Sequence, residues 1–198
     1  MKIADKIKGR MKQLNIEPQK ALGQNFLIGQ SVIDKMLDEV SFHKPGHIIE
    51  IGPGLGSLTV VLCKLDDSLE LVELDRQFCK FWKEKGLIVH EGDALKLDWS
   101  SFAISPGTML VSNLPYQISS RICIDRSLGP LEIHSMILMF QKEVAQRILA
   151  RPKSKEFGML SVVMQVFWNI QLLLEAGPNE FLPSPKVASR VLFFKRDI

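Results

Sequence analysis

The chain has little cysteine, a single tyrosine and no long apolar run, and each scarcity excludes something. Its three cysteines, Cys63, Cys79 and Cys123, show no C-x-x-C spacing. Neither a disulfide framework nor a cysteine-ligated zinc site is expected, and the default setting is a reducing cytoplasm. No stretch approaches the ~18 uninterrupted apolar residues of a membrane span. The most apolar segment, Met159 to Trp168, is short and carries Ser161 and Gln165. The first ten residues (M-K-I-A-D-K-I-K-G-R) alternate charged and apolar positions, so no secretory leader is expected. His43, His47, His90 and His134 show no ligand spacing, and no metal is expected. Disorder is excluded as well, because 46% of the 198 residues are hydrophobic and only 24% charged. What remains is one globular domain, large enough to bury roughly 70% of its unfolded surface.

A net charge of +3 decides nothing alone, but its distribution does. Lys2, Lys6, Lys8, Arg10, Lys12 and Lys20 face only Asp5 and Glu17 in the first twenty residues. Lys142, Arg147, Arg151, Lys153 and Lys155 form a second basic cluster, and Lys186, Arg190, Lys195 and Arg196 a third. Residues 64–98 run the other way, with six basic and nine acidic side chains. Three separated basic clusters can converge on a polyanion, or form ordinary solvated faces.

Periodicity predicts a short basic helix or arm before Pro18, then a helix capped by Ser31 and running to Val40. An apolar strand, H-I-I-E-I, follows the Pro45-Gly46 turn, and a helical stretch reaches Leu65. Strands are expected at Leu69–Leu74, Leu87–Glu91, Thr108–Asn113, Ile133–Phe140, Ile170–Glu175 and Arg190–Phe194. Helices are expected at Asp75–Lys85, near Ile118–Ser127, at Gln141–Ala150 and at Gly158–Asn169. Alternating strands and helices imply an α/β, Rossmann-like fold with a seven-stranded, mostly parallel sheet covered on both faces. The Pro-rich loop before the last strand is too short for a crossover helix, so that strand should run antiparallel.

The turn after the first sheet strand reads Gly52-Pro53-Gly54-Leu55-Gly56. Glycines there let backbone approach a ligand closely. The dinucleotide fingerprint G-x-G-x-x-G would place its last glycine at Ser57, so this turn fits a nucleoside ligand without a pyrophosphate. Glu73 stands at the end of the second sheet strand, where a carboxylate accepts from both ribose hydroxyls. Asp93, in E-G-D-A after the third, is placed to accept from an adenine amino group. The combination suggests S-adenosylmethionine. A dehydrogenase, and a non-enzymatic α/β domain with a tight turn, stay open on these residues alone.

After the fourth sheet strand comes Asn113-Leu114-Pro115-Tyr116, in the crevice where open sheets bind ligands. Asn113 offers an amide oxygen, and Leu114, held extended by the following proline, offers a carbonyl. Two acceptors facing one exocyclic NH₂ hold a nucleobase amine in line with a methyl donor, and Tyr116 can stack on the ring. The adenine N6 lone pair is delocalised into the ring and is a poor nucleophile. Hydrogen bonds that favour a pyramidal nitrogen return it, and in-line placement supplies proximity.

These segments carry a resemblance. With L-G-Q-N-F-L at 22–27, E-I-G-P-G-L-G at 50–56, E-L-D-R at 73–76, G-D-A at 92–94 and N-L-P-Y-Q-I-S at 113–119, the chain resembles the KsgA-type rRNA adenine-N6,N6-dimethyltransferases. Q-K-E-V-A-Q-R at 141–147, S-K-x-x-G-x-L-S at 154–161 and F-L-P-S-P-K-V at 181–187 extend the likeness over nearly the whole length. The resemblance implies a class I S-adenosylmethionine-dependent methyltransferase fold, residues 1–28 serving as arm and donor-closing loop. It implies donor contacts from Asn25, Leu27, Gly52, Glu73, Asp93 and Asn113, with S-adenosylhomocysteine as product. Asn113 and Leu114 would hold N6 of a flipped adenine sandwiched by Tyr116 and Phe181. The implied substrate is two adjacent adenosines near the 3′ end of small-subunit rRNA in an immature 30S particle, approached by a monomer through basic surface. Relatives continue into a helical C-terminal domain, which is expected to be missing after Ile198. The rivals are an Erm-type large-subunit rRNA methyltransferase and a non-catalytic RNA-binding assembly factor.

Overall fold

The computed structural model describes residues 3–19, 23–102, 104–129 and 132–197. Lys2 and Lys20 of the first basic cluster, Leu22 of the L-G-Q-N-F-L segment and the terminal Ile198 lie outside the described residues. The chain opens with α1 (Ile3–Leu14), whose Ile3 and Ile7 are one turn apart and buried on the domain. The first half continues with β1 (Phe26–Leu27), α2 (Gln30–His43), β2 (His47–Ile51), α3 (Thr59–Leu62), β3 (Glu70–Glu73), α4 (Arg76–Glu84), β4 (Ile88–Glu91) and β5 (Thr108–Asn113). The second half holds α5 (Ser119–Leu128), β6 (Ile133–Gln141), α6 (Lys142–Ile148), α7 (Met159–Phe167), β7 (Trp168–Ala176), β8 (Phe181–Leu182) and β9 (Ser189–Arg196).

Seven strands form one sheet in the order β4-β3-β2-β5-β6-β9-β7. The first five are parallel, and β9 runs antiparallel to both β6 and β7, as the short Pro-rich connection requires. The chain fills the sheet outward from β2 in one direction and from β5 in the other. The carboxyl ends of these two adjacent strands therefore meet at the topological switch point, where such sheets bind ligands. Side chains alternate strictly between two cores: Met109, Val111, Ile137, Met139, Val191 and Phe193 face one layer of helices. Leu110, Met136, Leu138, Phe140, Leu192 and Phe194 face the other.

Several boundaries depart from the sequence reading. Helix α2 starts at Gln30 with Gly29 as its N-cap and no side-chain cap, so Ser31 does not cap it. It runs past Val40 to His43 and ends where Lys44 turns left-handed at φ 46°. The helical stretch expected to reach Leu65 is regular only over Thr59–Leu62. The helix expected to end at Asn169 stops at Phe167, because Trp168 already pairs with Arg196 of β9. The reading also missed a two-stranded sheet, in which Phe26 pairs with Leu182 and Leu27 with Phe181. Two-residue strands have no period to read.

Two cations of the basic clusters are spent on the fold. The Arg10 guanidinium donates to the Leu55 carbonyl at 2.5 Å and lies 5.6 Å from the Trp82 ring centre. Arg196 is buried, donates to the carbonyls of Ile133, Ser127 and Arg126, and lies over Trp168.

Candidate active site

A cavity of about 230 Å³ opens at the carboxyl ends of β2, β3 and β5. Its floor is the glycine turn. Gly52, Gly54 and Gly56 have φ of 67°, 49° and 81°, values that L side chains rarely adopt. A Cβ on Gly56 would run into the Trp82 indole. The Trp82 Nε1–H in turn donates to the Gly54 carbonyl at 2.9 Å, and Gly52 N–H donates to Val72 O at 2.8 Å. Ser57, standing where a dinucleotide turn has its last glycine, donates its hydroxyl to Leu27 O at 2.5 Å. The departure from the fingerprint therefore ties the arm to the turn.

Glu73 lines the cavity at the end of β3 and is 7% exposed. Its Oε1 accepts from the N–H groups of Leu74 and Asp75 at 2.7 and 2.9 Å, and Oε2 from Gly54 N–H at 3.2 Å. Burial pushes this carboxyl up, and those three backbone donors pull it back. Asp93 lines the same cavity beyond β4. Its Oδ1 accepts from Leu95 N–H at 3.0 Å, closing an Asx turn that aims the carboxylate.

Asn113 ends β5, and its Nδ2 donates to Asn25 O at 3.0 Å. Only an NH₂ can satisfy that carbonyl, so the amide orientation is set and Oδ1 is the end left to accept. Asn25 is itself braced by Nδ2 donating to Gly23 O at 3.2 Å. Leu114 and Tyr116 line the cavity beside Asn113. The Tyr116 hydroxyl pairs with Ser189 Oγ of β9 at 2.8 Å, which fixes the ring, and burial raises its pKa.

The structure thus brings Asn25, Leu27, Gly52, Glu73, Asp93, Asn113, Leu114 and Tyr116 around one cavity. Phe181 does not join them. It is 2% exposed, pairs with Leu27 through β8, and packs in the core rather than lining the cavity.

Sequence reasoning missed Glu50. It is 2% exposed within β2, lines the cavity, and its Oε2 has no hydrogen-bond partner among the described residues. Burial, with Glu73 nearby, pushes its carboxyl up to about 8. The signal was present in the sequence: one acid inside the otherwise buried strand H-I-I-E-I. A buried carboxyl with one oxygen left unpaired at a cavity wall suits a cationic partner, such as the ammonium of S-adenosylmethionine. Glu73 and Asp93 add acceptors of the kind that ribose hydroxyls and an adenine amine need, so the residues present fit that molecule.

Residues 16–196 match the ribosomal RNA adenine dimethylase family. A ribosomal RNA small subunit methyltransferase A from Bdellovibrio bacteriovorus is 47% identical over 97% of this chain and 70% of its own length. A dimethyladenosine transferase from Plasmodium falciparum superposes with a TM-score of 0.77 at 26% identity, over 87% of this chain and 63% of that one. The 23S rRNA methyltransferase ErmE superposes at 0.74 with 24% identity, over 87% and 70%, and so shares the fold. With its parallel sheet, glycine turn and N-L-P-Y segment meeting at one cavity, the chain belongs to the ribosomal RNA adenine dimethylase family, the S-adenosylmethionine-dependent enzymes that methylate adenine in rRNA.

Proposed function

We propose that this chain dimethylates N6 of two adjacent adenosines near the 3′ end of small-subunit rRNA, acting as a cytoplasmic monomer on an immature 30S particle without a metal. The observation that carries the reading is the Asn113 amide on the cavity wall, engaged through Nδ2 by the Asn25 carbonyl so that Oδ1 is left to accept. Bound S-adenosylmethionine supplies an electrophilic methyl group on a sulfonium. Glu50, Glu73 and Asp93 bind its ammonium, ribose and adenine amine. Asn113 Oδ1 and the Leu114 carbonyl accept from the two N6 hydrogens of the target base, which favours a pyramidal nitrogen with its lone pair toward the methyl. Tyr116, fixed by Ser189, supplies the stacking face. No strong general base is needed, since the nitrogen becomes acidic once it is cationic. Phe181 backs Leu27 from the core.

The small-subunit assignment, rather than an Erm-type one, is supported by the names of bacterial relatives at 47% and 42% identity. The discriminating experiment incubates the protein with immature 30S and 50S particles and labelled donor, then maps the modified adenosines. Two adjacent dimethyladenosines in small-subunit rRNA are expected, and label confined to large-subunit rRNA would overturn the assignment.

A further inference from the structure

We propose that Asp75 is a positioning residue that latches the arm over the donor cavity, through a carboxylate oxygen that its helix-capping role leaves over. Asp75 is the N-cap of α4, and Oδ1 accepts from Gln77 N–H at 2.9 Å. A cap needs only that oxygen. The other, Oδ2, accepts from two side-chain amides of the arm, Gln19 Nε2 and Gln24 Nε2, each at 3.2 Å. The two glutamines are joined to one another, since Gln24 Oε1 accepts from Gln19 N–H at 2.9 Å. Asp75 is 7% exposed while Gln24 is half-buried and Gln19 exposed, so these charge-assisted bonds are partly screened by water on the arm side.

The arm segment held in this way is a wall of the cavity, formed by Gly23, Gln24, Asn25, Phe26 and Leu27. On the opposite wall, the backbone N–H of Asp75 donates to Glu73 Oε1 at 2.9 Å. Three consecutive residues therefore join the ribose-facing carboxylate, the start of α4 and the arm. A donor held against this wall leaves more readily if the arm yields, and Asp75 Oδ2 sets how readily it does. Loss of the latch lowers donor affinity through faster dissociation; at saturating donor the ligand holds the arm closed, and with it the Asn25 carbonyl that orients Asn113.

The inference rests on reading the cavity as the donor site, and a polarity swap tests it. Asp75→Asn keeps a good capping oxygen for Gln77 but turns an NH₂ toward two amide NH₂ groups. Donor dissociation should accelerate on the order of tenfold, with KM for S-adenosylmethionine rising in parallel and kcat at saturating donor holding within about twofold. Gln24→Glu alone sets two carboxylates face to face and should loosen the arm without touching the cap. The double variant Asp75→Asn/Gln24→Glu restores a donor–acceptor pair and should bring dissociation back toward the wild-type rate. Rescue of this kind is foreign to a purely structural role. Unchanged dissociation in Asp75→Asn, or a double variant no slower than either single one, overturns the latch while wild-type binding leaves the cavity reading intact. Failure of the wild-type protein to bind S-adenosylmethionine overturns both.

Discussion

The two flanks of the sheet are built from different material. On the donor flank, β2, β3 and β4 are four or five residues long, and the buried interior holds Glu50, Glu70 and Glu73. On the other flank, β6, β9 and β7 run eight or nine residues in antiparallel register, and Phe140, Phe194 and Trp168 fill the space between sheet and helices. Within the donor flank the acids are treated unequally. Glu70 sits between His47, at 3.0 Å, and His90, whose ring stacks on Phe102 and, through it, on Trp99. Glu50 has no histidine beside it, only Thr59, and one of its oxygens is left without a partner among the described residues. Stability is concentrated on the apolar flank, and binding capacity is stored on the polar one as groups that want a ligand.

That division is broken most forcefully by Phe194→Ala. The Phe194 ring is fully buried and meets Phe140 and Trp168 edge-on at 6.0 and 6.3 Å. Its truncation should cost about 3–5 kcal/mol in denaturant unfolding. Donor affinity of the protein that remains folded should not change. A loss of only about 1 kcal/mol would mean that the apolar flank is not where stability resides.

Asn113→Ala is the counterpart on the binding side. Loss of one positioned acceptor should lower kcat by roughly 10²–10³-fold, with a small change in unfolding midpoint. Unchanged turnover in this variant would remove Asn113 from the chemistry.

Glu50 sharpens the comparison through pH. Unfolded, its carboxyl ionises in the ordinary range near 4.5, whereas the folded protein keeps the proton up to about 8. The folded state binds the extra proton between those values, so stability declines as pH rises through that window and then levels off. Glu50→Gln should flatten this slope in unfolding measured at about pH 5 and about pH 9. It should also weaken donor binding by roughly 10- to 100-fold, because the ammonium loses a carboxyl whose ionisation its own charge favours. A retained slope would assign the pH dependence to other groups.

Much of this contrast was legible in the sequence. Thr108–Asn113 was bounded at both ends, because an apolar run met a proline turn. The glycine turn, Glu73, Asp93 and Asn113 were found because each stands at the carboxyl end of a strand, which the strand reading itself located. Glu50 was hidden inside a strand, where position alone does not separate a core residue from one facing a cavity. The pairing of Phe181 with Leu27 was hidden because it depends on two short strands brought together from 154 positions apart, and no local pattern encodes that. The two-amide bond to Asp75 was hidden for the same reason, as only its capping role is local.

The smallest effect concerns charge on the apolar flank. Lys142 and Arg190, from two of the basic clusters, both pair with Glu175 of β7, at 2.8 and 3.0 Å. Those two hydrogen bonds, Lys142 first, hold the Glu175 carboxyl below its usual range, so the ties persist into mild acid and are lost only as pH falls further. The pairs are solvent-exposed, and such pairs add little to stability, so Glu175→Gln should leave the unfolding midpoint where it is. What changes is the number of cations available to phosphate. If this flank meets rRNA, the variant should bind it more tightly at low salt. The slope of log affinity against log salt should also steepen by about one to two units, as up to two more counterions are released. An unchanged slope would take Lys142 and Arg190 off the RNA surface and leave that role to the exposed run from Arg151 to Lys155.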